Sequence, residues 1–291
     1  MNEFSASSPT EATLSVNNLT DFSLYADAVA MAGRQDALTF VEILWDNYLH
    51  LDPDVIARSF EALAPRVALH VMWTGFVHTS AERLDRILDC MSTHIRALDP
   101  VYVSDHLLRT VAGDRYLAQP EDLDYEADLE QTCRRVQRYQ EATGRRLLLE
   151  NIASAGPQGV GQADFAGEVL RRTGAGLLFD VSNAIVAETN GGDPVHAWSS
   201  LLSQAPVHAH VGGYRLDPHD GKLRDSHGDP LSPASLDLVA LLGRQGQLRS
   251  ICLEREKEKT ASDVADDLRR LNQALTRPPA ETRPAPELRD V

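Results

Sequence analysis

Short apolar runs alternate along this chain with longer stretches in which apolar residues return every third or fourth position. The short runs are TLSV at residues 13–16, LTFVEIL at 38–44, RVALHVM at 66–72 and PVYVSDH at 100–106, followed by RLLLEN at 146–151, GLLFDV at 176–181, PVHAHVG at 206–212 and SICLE at 250–254. Their length and β-branched content predict eight strands. The stretches between them are helical in period: residues 81–97 place Leu84, Ile87, Leu88, Met91 and Ile95 on one face. Asp52-Pro53-Asp54 supplies a helix start after the second strand, and Thr143-Gly144 and Thr173-Gly174 supply helix ends before the fifth and sixth.

Eight strands alternating with helices predict a parallel sheet closed by right-handed crossovers, a (β/α)8 TIM barrel. A doubly wound open sheet is the structural rival, but no Gly-rich phosphate fingerprint follows the first strand. No linker interrupts the series, so residues 13–276 read as a single domain. The Ser/Thr/Pro-rich segment 1–12 and the Pro-rich tail 277–291 read as flexible.

Barrel enzymes build their sites from the C-terminal ends of the strands and the loops that follow. His70 ends the apolar part of the third strand, His106 follows the fourth and Glu150 ends the fifth. Asp180 and Asn183 close the sixth, His210 lies late in the seventh, Glu254 ends the eighth, and the loop after the seventh adds Asp225 and His227. A lone His or Glu at such a position is commonly structural, whereas six successive strands ending in ionisable groups concentrate charge that only cations would relieve. The donors are imidazole, carboxylate and amide with no thiolate, a set suited to iron, zinc or manganese. Nine candidates exceed what one ion takes, so two to three ions with a bridging carboxylate are expected, Glu150 being the candidate bridge. His208, two residues before His210, points the same way at a deeper layer, and Tyr214 could line the site or pack under a loop. Glu42 and Asp105 are candidate partners of the ligands, and His50, His78, His94, His196 and His219 are expected in solvent.

The acidic balance, 43 Asp and Glu against 28 Lys and Arg for a formal charge of −15, argues against unassisted nucleic-acid binding. Three widely spaced cysteines, Cys90, Cys133 and Cys252, form no CxxC pair and are expected as small buried hydrophobes. The absence of a secretory pattern at the N-terminus and of a membrane-length apolar segment leads to the expectation of a cytoplasmic protein with no membrane contact.

The motifs VSDHL, LLLEN, FDVSN, HVGGY, DSHGD and CLERE taken together resemble the multinuclear non-heme iron-dependent oxidase family over the whole core. Within it, RALDPVYVSDH at 96–106, TGAGLLFDVSNA at 173–184 and DPVHAW at 193–198 resemble the methanobactin oxidase subgroup, which also carries Tyr where Tyr214 stands. The resemblance implies irons, as Fe(II)/Fe(III), held by His70, His106, Glu150, Asp180, Asn183, His210, Asp225, His227 and Glu254. It implies that the centre takes a cysteine thiolate of a ribosomally made precursor peptide. O2 as co-substrate would then drive a four-electron oxidation of that Cys to an oxazolone and a neighbouring thioamide. It further implies a companion protein, in a heterodimer, that presents the peptide. The chain departs from the family pattern at Glu256, where Asp is usual, and the segment VMWTGFVHTS after His70 is its own and would line the substrate mouth.

Two rival readings fit the same residues. A trinuclear zinc phosphodiesterase similar to endonuclease IV, or a related sugar isomerase, uses the same ligand order but, in the endonuclease, His at the position of Asn183. A non-enzymatic alternative is a metal-dependent scaffold subunit for the companion.

Overall fold

The computed structural model describes residues 10–33, 38–113, 115–154, 156–257 and 259–277. Most of the two terminal stretches expected to be flexible lies outside the described residues. Among the described residues, eight parallel strands form one sheet: β1 (Glu11–Leu14), β2 (Val41–Leu44), β3 (Val67–Val71), β4 (Val103–His106), β7 (Leu147–Glu150), β8 (Gly176–Asp180), β9 (Val207–Gly212) and β12 (Leu248–Glu254). Strand β1 begins two residues before the apolar run does, with Glu11 and Ala12 paired to Ser250 and Ile251 of β12. The sheet order β1-β12-β9-β8-β7-β4-β3-β2 closes on itself through a parallel bridge between Ser15 and Glu42 and a Val16 N–H bond to the Glu42 carbonyl (2.8 Å). The fold is the (β/α)8 barrel that the alternation predicts.

The crossovers carry helices α1 (Phe22–Met31), α2 (Pro53–Phe60), α3 (Ala81–Leu98), α4 (Leu129–Thr143), α5 (Gln162–Thr173), α6 (Val181–Thr189), α7 (Ser199–Leu202), α8 (Pro233–Arg244) and α9 (Ala261–Thr276). Their ends follow local chemistry. Asp52 caps α2 by accepting from the Asp54 N–H at 2.8 Å with Pro53 at the first helical position. Gly144 (φ 65°) and Gly174 (φ 71°) end α4 and α5 in the left-handed conformation that glycine adopts without strain.

Strand parity divides the apolar residues into two cores. Val41, Ile43, Leu69, Val71, Leu149, Phe179, Val211 and Leu253 face outward and pack under the helices in the larger one. Phe40, Ala68, Tyr102, Leu148 and Leu178 point inward and fill the lower end of the barrel. Two residues further along, the same parity delivers Glu42, His70, Ser104, Glu150, Asp180 and His210 to the interior, and all six are buried. The apolar plug below and the polar layer above are thus one pattern of alternation.

Two antiparallel hairpins sit beside the barrel, β5 (Leu108–Ala112) with β6 (Arg115–Asp122) and β10 (Tyr214–Leu216) with β11 (Leu223–Asp225). The strand–helix alternation predicts neither hairpin. The side chains of β6 are mostly exposed, so it carries no run of core-facing apolar residues to betray it.

Candidate metal centre

The candidate ligands are placed by the strand ends and the segments that follow them. Asp180 ends β8 and is also the N-cap of α6: its Oδ1 accepts from the Asn183 N–H at 2.7 Å. The cap therefore fixes Asn183 one turn into the helix on the cleft side. Asn151, after β7, clamps the same corner, donating from its side chain to the Asp180 carbonyl (2.9 Å) and accepting from the Asp180 N–H (2.8 Å). Across the mouth, the Gly212-Gly213 pair lets the segment after β11, with His227 and Asp229, fold tightly onto the end of β9. A Cβ on Gly213 would lie 1.9 Å from the Asp229 carbonyl, and one on Gly212 would lie 2.9 Å from the His227 ring. His227 itself is left-handed (φ 50°), a conformation uncommon outside glycine. Its carbonyl accepts from the Glu256 and Lys257 N–H groups at 2.8 and 3.2 Å, which pins it after β12.

These placements draw the candidates into overlapping groups whose possible donor atoms lie within 4.8 Å of one another. His70, His106 and Glu150 form one, Glu150, Asp180, His210 and Glu254 the next, His227, Glu254 and Glu256 a third, and Glu42, His70 and His210 a fourth. Glu150 belongs to the first two. His70 Nε2 and His106 Nε2 lie 3.4 and 3.1 Å from its Oε2, and His210 Nδ1 lies 3.2 Å from its Oε1. Glu254 joins the second and third, 3.4 Å from both His210 Nδ1 and His227 Nε2. Asp225 stands 2.7 Å from His227 Nε2, and Asn183 and Asp225 both line the cleft above the groups.

The imidazoles are oriented from behind. His106 Nδ1 donates to the Val71 carbonyl at 3.0 Å, and His70 Nδ1 contacts Ser104 Oγ at 2.9 Å. His210 turns Nε2 toward Glu42 (2.8 Å), whose carboxylate also accepts from the Tyr102 hydroxyl (2.7 Å). His227 turns Nδ1 toward Glu256 at 3.3 Å. With Nδ1 of His106 committed as a donor, its Nε2 in the neutral ring is an acceptor facing the Glu150 carboxylate, another acceptor. A cation between them removes the conflict.

Titration in the metal-free protein carries the same signature. Burial favours a neutral Glu150, but His106, His210 and His70 outweigh it and hold the carboxyl below the usual range. Burial, reinforced by Glu150 and Asp225, pushes Asp180 up to about 7, and burial keeps Glu254 well above the usual range. Burial lowers His70 to about 4. It works the same way on His210 and His227, yet the carboxylates around them raise both well above 6.5. Protons thus supply the positive charge that metal ions would bring.

Four oxygens decide whether metal ions fit. Glu150 Oε2, Asp180 Oδ2, Asn183 Oδ1 and Asp225 Oδ1 are buried without a hydrogen-bond partner. Ionised carboxylate and amide oxygens accept only, and leaving one unsatisfied costs about 1–3 kcal/mol or more. All four belong to the sequence-selected set, and coordination would satisfy them together.

Other residues fall elsewhere. His208 lies in the lower layer, its Nδ1 2.7 Å from Ser250 Oγ and its ring 4.6 Å from that of Tyr102. Tyr214 bonds Ser232 Oγ, the N-cap of α8, at 2.6 Å. Asp105 accepts from Thr74 Oγ1 (2.6 Å) and the His106 N–H (2.8 Å), not from an imidazole. His94, expected in solvent, is buried, with its ring nitrogens at the Cys90 and Leu51 carbonyls. Cys133 and Cys252 are buried, whereas Cys90 is partly exposed. Sequence reasoning missed Asn151, Ser104 and Asn190. Asn190 ties α6 to the Ser154 carbonyl (3.2 Å) and to both backbone groups of Leu223 (2.9 Å each). Only Asn151 left a signal, in LLLEN.

The mouth opens into a cleft of ≈ 1610 Å³ reached by Met72, His106, Asn183 and Asp225 and walled by Gln119 to Asp122 of β6. Among the described residues no helix is long and apolar enough to cross a membrane.

Fold and site together define a (β/α)8 barrel with groups of residues that could hold several metal ions. D-allulose 3-epimerase from Methylomonas sp. has the same fold, with a TM-score of 0.59 at 13% identity over 91% of this chain and 96% of that one. The family model for the RiPP precursor modification enzyme MbnB/TglH/ChrH matches residues 23–276, and the chain belongs to that family. A UPF0276 protein of Caulobacter vibrioides is 30% identical over 248 residues, 80% of this chain and 85% of that protein. A UPF0276 protein of Anaeromyxobacter sp. is 32% identical over 163 residues, 54% of this chain and 56% of that protein.

Proposed function

We propose that this protein is an iron- and O2-dependent oxidase that modifies cysteine in a ribosomally made precursor peptide, the methanobactin-like conversion to an oxazolone and thioamide, with a companion protein presenting the peptide. The observation that carries the metal part is the set of four buried acceptor oxygens without donors, on Glu150, Asp180, Asn183 and Asp225. Membership of a precursor-modification family supports the peptide part.

His70, His106 and Glu150 would hold one ion, Glu150, Asp180, His210 and Glu254 a second, and His227, Glu254 and Asp225 with Asn183 a third. Iron there would supply electron transfer to O2 and a binding position for the substrate thiolate, the soft donor that the protein's own set lacks. The chain's residues do the remainder. Glu42, Ser104, the Val71 carbonyl and Glu256 fix which imidazole nitrogen faces the centre. The cleft, walled by β6 on one side, admits an extended peptide and restricts water around the reacting sulfur.

The test compares iron- and zinc-loaded protein, with and without O2 and the companion, on a precursor peptide and its Cys→Ser form. Mass loss at Cys only, with iron and O2 only, is the expected result. Zinc has a filled d shell and passes no electrons to O2, so the zinc form should be silent. Zinc-dependent nicking of abasic DNA, or comparable turnover of the serine peptide, would overturn the reading.

A further inference from the structure

A second concavity, ≈ 380 Å³ in volume, opens beside the cleft between α3, the segment after β3 and strand β6, lined among others by Trp45, Leu49, Trp73, Arg83, Ile87 and Tyr116. Large apolar side chains reach solvent here: Trp73 is 36%, Leu49 45% and Tyr116 50% exposed. They are nevertheless held in place. The Trp73 and Tyr116 rings meet edge to face at 5.8 Å, and the Tyr116 hydroxyl donates to the Trp73 carbonyl at 3.0 Å. Asp46 takes the N–H groups of Met72 and Trp73 at 2.9 and 3.2 Å. A rigid aromatic wall exposed to water is what an anchor pocket needs, because it loses little freedom when a ligand covers it.

The charge of the groove differs from that of the chain. The Arg83 guanidinium lies 4.5 Å over the Tyr116 ring and, among the described residues, pairs with no carboxylate, in a protein of formal charge −15. Groove and cleft are also lined by neighbouring residues of the same two segments. Met72 lines the cleft while Trp73 lines the groove, and β6 places Tyr116 in the groove and Gln119 to Asp122 in the cleft. At about 3.3 Å per residue, those three to six positions span roughly 10 to 20 Å.

We propose that this groove is a recognition subsite for the precursor peptide. It takes a bulky apolar side chain with an acidic neighbour, three to six residues from the cysteine that enters the cleft. The inference rests on the precursor-peptide reading above and adds to it the feature by which a substrate is chosen. Burying the anchor against Trp73, Leu49 and Tyr116 supplies affinity, Arg83 selects the acidic neighbour, and an extended peptide following β6 sets the spacing. The segment VMWTGFVHTS, which contributes Trp73, is accounted for by this role.

The experiment measures binding without turnover. Labelled Gly/Ser peptides of about twelve residues carry one Cys and a Leu-Asp pair placed two to nine residues away, on either side. Each is titrated into the iron-loaded full-length protein without O2 and read by fluorescence anisotropy. Affinity should peak at spacings of three to six and fall about tenfold when Leu-Asp is replaced by Gly-Ser. Trp73→Ala and Arg83→Glu should each weaken the best peptide about tenfold at unchanged iron content, and Trp73→Phe should retain most of the affinity. Affinity indifferent to spacing, or unchanged in Trp73→Ala and Arg83→Glu, overturns the subsite. So does loss of companion binding in those variants with peptide affinity intact, which would assign the groove to the companion. Peptides that bind as expected but are never oxidised once O2 and the companion are added would leave the subsite standing and defeat the oxidase reading.

Discussion

His210 presents Nε2 to the Glu42 carboxylate at 2.8 Å and leaves Nδ1 facing Glu150 and Glu254, although 168 positions of chain separate Glu42 from His210. Both residues are fully buried, and Tyr102 completes the support from below with its hydroxyl on the same carboxylate. The arrangement fixes both the ring orientation and the nitrogen offered to a metal ion.

Glu42→Gln should therefore leave the barrel folded while lowering metal affinity about 10–100-fold, the usual consequence of losing a carboxylate behind a ligating imidazole. Competition against a chelator of known affinity measures it. Unchanged affinity would show that the pair is structural only.

Glu150 serves two groups, whereas Asp180 serves one. Metal analysis after loading with iron should find two to three ions in the wild type, a loss of about one in Asp180→Ala and a larger loss in Glu150→Ala. Full occupancy in both variants would remove the assignment of these residues as ligands.

Asn190 joins the end of α6 to β11, the strand that carries Asp225. Asn190→Ala should cost roughly 1–3 kcal/mol through the unpaired Leu223 and Ser154 groups. It should also empty the Asp225–His227 position selectively, lowering metal content by about one ion and leaving the other two bound. Equal loss from every position would argue for a global effect.

The metal-free protein should respond to pH through Asp180. Its carboxyl titrates at about 7 in the fold, against about 4 in an unfolded chain. Between those values the native state binds more protons, so this group's contribution makes stability fall as pH rises, by at most about 1.4 kcal/mol per pH unit. Denaturant melts at about pH 5 and about pH 7 should show a steeper fall in the wild type than in Asp180→Asn. Metal displaces the proton, so affinity should rise across the same window; identical slopes in the two proteins would contradict the assignment.

The sequence by itself determined the barrel, because each strand is a short run whose boundary and parity are set locally, and eight such runs with helices between them admit few closures. It also determined which side chains share the mouth. In a parallel barrel a polar residue ending an apolar run lands at the C-terminal rim, whatever its neighbours are, and this holds for His70, His106, Glu150, Asp180, His210 and Glu254. The hairpins were not legible, since β6 packs too few apolar residues to show a period. His94 was misread because a buried polar residue on a helix is revealed only by what lies opposite, here the Leu51 carbonyl. Tertiary structure alone decided that Glu150 and Glu254 are shared between groups, that His210 turns Nδ1 to the centre, and that Trp73 meets Tyr116. Each depends on the stagger between strands and the packing of loops far apart in the chain, distances that local patterning does not encode.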